Sequence, residues 1–90
     1  MLARFRAWRV ERRRNEAAIR HAVQEFRERR GFGPMGVHVL GRDPQETIVR
    51  VMYFTNRIPP NRAWFAISHT SGVARELAFK DVADLESPWR

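Results

Sequence analysis

At Gly31, Phe32, Gly33 and Pro34 the hydrophobic period of this 90-residue chain changes, and that switch limits its fold more than any other feature. Before it, from Asn15 onward, apolar residues return at Ile19, Ala22, Val23 and Phe26. Three-to-four spacing of this kind places side chains on one face of a helix. Arg20, Glu25, Arg27 and Glu28 fall off the stripe. After the switch, β-branched and aromatic residues alternate with polar ones, which is the period of a strand. A chain that is helical before a four-residue break and extended after it is an α+β chain, with the helix packed on a sheet.

The break explains itself chemically. Gly31 suits the left-handed position just past a helix, Phe32 can then fold back onto Phe26, and Gly33 and Pro34 stop any continuation, so the helix should end at Arg30. Glu16 with Arg20 and Glu25 with Arg29 are acid-first pairs four apart, each worth roughly 0.2–0.5 kcal/mol. The start is less sharply marked. Phe5 and Trp8 project onto the same stripe, so one helix from about Leu2 to Arg30 fits, although Arg12 and Asn15 interrupt it. Such a helix would be about 40 Å long, longer than a domain of this size is wide. Residues 1–14 are therefore expected to be a basic extension that overhangs or bends away from one α+β domain at residues 15–90.

Four strands are predicted beyond the break. The first covers residues 35–40 and ends in the turn signal Gly41, Arg42, Asp43, Pro44. The second, residues 47–54, has Val49, Val51 and Tyr53 on one face and Ile48, Met52 and Phe54 on the other, which suits an interior strand. Pro59 and Pro60 stiffen the loop that follows. The third and fourth, residues 63–68 and 73–79, are joined by His69, Thr70, Ser71 and Gly72, a good hairpin connection. Residues 81–85 can add a short C-terminal turn capped by Asp81. Short connections favour an antiparallel meander with the long N-terminal helix across one face. That order of elements is similar to a pared-down cystatin-like arrangement, a likeness of topology that carries no motif residue and implies no activity.

Apolar residues on both faces of the second strand pose a further question. If the helix covers one face, the other is covered either by a second copy of the chain, as a homodimer, or from within, by Phe5, Trp8, Val82, Leu85 and Trp89.

Composition supplies the exclusions. Hydrophobic residues at 43% and aromatics at 11% furnish one core and leave no room for a second domain. The absence of cysteine excludes disulfides, thiol nucleophiles and thiolate metal sites, and fits a cytoplasmic location. The longest apolar run, residues 63–67, falls far short of the roughly 20 residues a membrane span needs. Arg4, Arg6 and Arg9 break up the continuous apolar stretch that a secretory signal would show, and an arginine-rich targeting peptide would be richer in serine.

No constellation here predicts catalysis. His21, His38 and His69 are widely spaced, with no carboxylate or Cys at ligand spacing, so neither a metal nor any other cofactor is expected. Ser68 and His69 are adjacent, and adjacent strand residues point to opposite faces, so they form no triad. Gly31, Gly33 and Gly36 follow a helix instead of opening one, unlike a phosphate loop. Acid–base chemistry by Arg, His and a carboxylate, as in small ribonucleases, needs no linear motif, but nothing here positively supports it. The chain reads as a non-enzyme.

Charge is the remaining signal. Residues 1–30 carry ten Arg against four Glu, whereas residues 31–90 carry seven basic and six acidic groups. Sixteen of the seventeen basic residues are Arg, which bonds phosphate and carboxylate in a bidentate way that Lys cannot; a genome that favours Arg codons would produce the same usage. Arg4, Arg6, Arg9, Arg12, Arg13 and Arg14, interleaved with Phe5 and Trp8, have the composition to neutralise phosphates while aromatics stack on bases. An anionic membrane surface or a plain solvated face would use the same residues. The expectation is a small basic binding module that contacts RNA or DNA backbone through its Arg-rich helix. The alternative is a protein-interaction module, an adaptor, inhibitor or immunity-type protein, that docks a partner on its sheet without nucleic acid.

Overall fold

A computed structural model of the chain describes residues 2–55 and 61–86, with side chains from residue 15 onward. It shows a helix α1 (Leu2–Arg30), strands β1 (Gly36–Arg42), β2 (Glu46–Tyr53), β3 (Asn61–Ser68) and β4 (Ala74–Leu77), and a helix α2 (Phe79–Glu86). The strands form one antiparallel sheet in the order β1-β2-β3-β4. The α+β class, the helix-first meander and the interior place of β2 are as the sequence pattern predicts.

α1 is continuous, so Arg12 and Asn15 interrupt its apolar stripe without ending it. Its C-terminus is built as expected. Gly31 takes φ 80° and its N–H bonds the Arg27 carbonyl at 2.8 Å. Phe32 returns edge-on to Phe26, with ring centroids 5.5 Å apart. The buried stripe is centred one residue from the expected one: Ala18, Ala22 and Phe26 are buried, while Ile19 and Val23 lie on its half-buried flank. Two alanines at the contact let the helix backbone approach the sheet closely, and Phe26 fills the space beyond them. Of the two acid-first pairs, Glu25 and Arg29 meet at 2.6 Å. Arg20 makes no ion pair among the described residues.

The core follows from the register. Val49 pairs with Phe65, Val51 with Ala63 and Thr47 with Ile67, so these side chains share the face under α1, flanked by Val37, Val39, Tyr53 and Ala74. β1 runs two residues past its expected end because a register shift between Val39 and Gly41 accommodates Leu40 as an extra residue. The turn beyond it is held by Asp43, whose Oδ1 accepts the N–H groups of Gln45 at 2.7 Å and Glu46 at 2.8 Å. β3 starts at Asn61, ahead of its expected start, and the proline loop before it lies outside the described residues. In the β3–β4 hairpin Gly72 takes φ 74°, and a Cβ there would stand 3.0 Å from His21 Nε2, so the imidazole of α1 packs directly on the turn.

The C-terminal segment departs most from expectation. β4 ends at Leu77, and Phe79 opens a two-turn helix instead of closing the strand. Asp81 is not the capping residue itself. Its carboxylate reaches back to the Ala78 N–H at 2.9 Å, the reciprocal half of a capping box, which takes that N–H out of the sheet ladder. α2 lies on the second face of the sheet: Val82 and Ala66 are buried outside the main cluster, Phe79 packs on Trp64 at 5.7 Å, and Leu85 stands over Gly41. The face opposite α1 therefore has cover from within the chain, through Val82 and Leu85. Trp89 and the side chains of Phe5 and Trp8 lie outside the described residues.

Candidate nucleic-acid interface

Arg4, Phe5, Arg6, Trp8, Arg9, Arg12, Arg13 and Arg14 all stand on the described backbone of α1, and their side chains lie outside the described residues. What the backbone settles is that they ride on the same helix as the core residues Ala18, Ala22 and Phe26. Twenty-nine residues make a rod of about 43 Å, whereas the longest strands, of eight residues, span about 26 Å. The long dimension of the molecule is 49 Å against 33 and 19 Å for the others. Asn15 on α1 accepts from Arg42 Nη1 at 3.3 Å, a bond between helix and sheet.

The described cations are mostly answered within the chain. Arg29 pairs with Glu25 at 2.6 Å and approaches Glu76 at 3.6 Å. The hydrogen bond that Arg29 Nε donates to Glu25, then the charges of Glu25 and Glu76, hold the exposed Arg29 guanidinium above its ordinary pKa. Arg30 bonds Glu76 at 3.2 Å and sits 5.8 Å from the centre of the Tyr53 ring. Arg75 bonds Glu46 at 3.0 Å. Among the described residues, Arg20 and Arg27 on α1 have no carboxylate within ion-pair distance.

The histidines divide as expected, with His38 on a strand and His69 in the hairpin. His69 is structural: Nδ1–H donates to the Pro44 carbonyl at 3.2 Å, which leaves Nε2 to accept the buried Thr47 hydroxyl at 2.7 Å. One ring thus ties the β3–β4 hairpin to the turn before β2. Beside it, Ala17, His21, Ser68, Thr70 and Ser71 line a shallow recess of ≈ 250 Å³, below the usual range for small-molecule sites. Ser68 Oγ and Ser71 Oγ accept the N–H groups of Ser71 and Val73, so both serve the turn. No group of three metal-ligating side chains converges among the described residues, and no described helix is long and apolar enough to cross a membrane.

One cluster escaped the sequence reading. On the face away from α1, Glu86 at the end of α2 is 4% exposed. Its Oε1 accepts from Arg50 Nη1 at 2.7 Å, its Oε2 from Trp64 Nε1 at 2.8 Å, and Arg62 Nη1 lies 3.8 Å from Oε2. The partners are scattered along the sequence and meet only because β2 and β3 pair Arg50 with Trp64 and Met52 with Arg62. No local pattern marks them.

No protein family model, curated protein sequence or solved structure matches this chain.

Proposed function

We propose that the chain is a small basic binding module that contacts the phosphate backbone of nucleic acid through α1. The observation that carries this is the charge imbalance along α1. Among the described residues, Arg29, Arg30, Arg50, Arg62 and Arg75 sit against carboxylates of the same chain, whereas Arg20 and Arg27 on α1 do not. Residues 1–14 hold six Arg and the single acid Glu11, on a helix that outruns the sheet. An array of this kind attracts polyanions by releasing their counterions, and it positions a protein on a backbone without reading bases.

The test is binding of fluorescently labelled RNA and DNA across a salt series, by the intact chain and by one lacking residues 1–14. If all six arginines meet phosphates, the deletion should flatten the log–log salt slope for a single strand by about 4, and a partial set by proportionately less. An affinity unmoved by the deletion, or indifferent to salt, rejects the reading. Docking of a protein is favoured by a different observation: Phe32, Met35 and Phe54 are exposed at one end of the sheet. It predicts a stoichiometric protein complex that survives nuclease, and no salt-dependent oligonucleotide binding.

A further inference from the structure

The sheet face beneath α2 is basic and carries a tryptophan. The register puts His38, Arg50, Arg62, Trp64 and Arg75 on it, beside Ile48, Met52 and Ala66, with Glu46 on the same face answering Arg75. The helix that covers them is acidic, with Asp81, Asp84 and Glu86 against Lys80. Among the described residues its apolar hold is small: Val82 is its one buried apolar side chain, while Phe79 and Leu85 are exposed. Glu86 supplies the described ion pairs between α2 and the sheet. The carboxylate meets Arg50 at Nη1 and Trp64 at Nε1, while Arg50 Nε, on the other edge of the guanidinium, is buried without an acceptor. A phosphate in the carboxylate's place would take the same Nη1, with Arg62 Nη1, 3.8 Å from Glu86 Oε2, close enough to join.

We propose that α2 is an intramolecular lid over a second nucleic-acid site, in which Glu86 holds the place of a phosphate on Arg50 and Arg62 while the lid covers Trp64 from a stacking base. The ligand is single-stranded, because a duplex keeps its bases inside the stack, and stacking on an aromatic side chain needs an unpaired one. The proposal rests on the reading of the chain as a nucleic-acid binder and adds to it a site on the sheet, gated by the chain's own carboxylate. α1 supplies phosphate contacts in both lid states; the sheet site opens only when α2 lifts. Apparent affinity at the sheet is then reduced by the fraction of molecules with the lid open.

The experiment uses the full chain and a labelled oligouridine of 20 nucleotides carrying 4-thiouridine, with affinity from anisotropy and photo-crosslinked peptides identified by mass spectrometry. Glu86→Gln keeps the shape of the lid and removes its charge. It should tighten binding by about 3- to 10-fold and produce a crosslink on the β3 peptide that contains Trp64. A second variant, Gly41→Cys with Leu85→Cys in this cysteine-free chain, uses the packing of Leu85 over Gly41 to fasten the lid. Once oxidised it should lose the Trp64 crosslink, and dithiothreitol should restore it. Crosslinks confined to residues 1–30, with equal affinity for the parent and Glu86→Gln, overturn the lid and leave the helix reading standing. Crosslinks at Trp64 without any on residues 1–30 do the reverse. No binding by either protein overturns both.

Discussion

Truncation of Phe26 tests how the helix is seated on the sheet. The Phe26 side chain is 0% exposed, it is the largest group that the described residues of α1 contribute to the core, and its ring meets Tyr53 at 5.0 Å and Phe32 at 5.5 Å. Phe26→Ala removes a buried ring and leaves a cavity that Ala22, Val49 and Val51 cannot close without moving the helix. Substitutions of this type cost about 3–5 kcal/mol, against a total stability of about 5–13 kcal/mol for a chain of this length. With a urea dependence of about 1–3 kcal/mol/M, the midpoint should fall by at least about 1 M. Urea titration followed by far-ultraviolet circular dichroism is the assay, with Phe32→Ala as the internal control. Phe32 touches the same ring but is 42% exposed, so its loss should cost under about 1.5 kcal/mol. A Phe26→Ala cost no larger than that of Phe32→Ala would refute the seating of α1 through Phe26.

Two further predictions concern the turns that frame the sheet. His69→Ala strands the buried Thr47 hydroxyl and should cost about 1–3 kcal/mol, part of which Thr47→Val in the same chain restores by removing the orphaned group; two single costs that simply add in thermal denaturation would exclude the contact. The Asp43 carboxyl is held below its ordinary pKa of 3.8, first by the Glu46 N–H and then by that of Gln45. A depressed folded pKa means that its stabilisation is present above 3.8 and is lost as pH falls through the lower folded value. Carbon-detected NMR titration should place its midpoint below 3.8, and a midpoint at or above that would show that the turn bonds are absent.

Much of the backbone was legible because its causes are local. The Gly31 cap needs only a residue without Cβ and a phenylalanine next to it. The interior place of β2 follows from apolar residues on both its faces, and the β3–β4 turn from a glycine at the position that requires positive φ. What went astray was non-local. Ile19 and Phe26 share the right stripe by spacing, yet packing selected Ala18 for the contact, since the preferred line depends on how closely the helix backbone approaches the sheet. Phe79 reads as the end of a strand until Asp81 takes the Ala78 N–H.

The candidate sites divide in the same way. The arginines of residues 1–14 stand out from composition alone, because a charge imbalance is a property of the chain whatever its fold. Glu86 does not. As a sequence feature it is one acid near the C-terminus. It becomes a buried carboxylate on Arg50, Trp64 and Arg62 only after a meander has paired β2 with β3 and a two-turn helix has crossed the second face. By itself the sequence determined the helix-to-strand switch, the turns and the basic segment, all fixed by interactions between near neighbours. Beyond the local Glu25–Arg29 pair, tertiary structure alone decided which carboxylates meet which arginines, since Glu46, Glu76 and Glu86 reach arginines that are distant in sequence and near only in the folded chain.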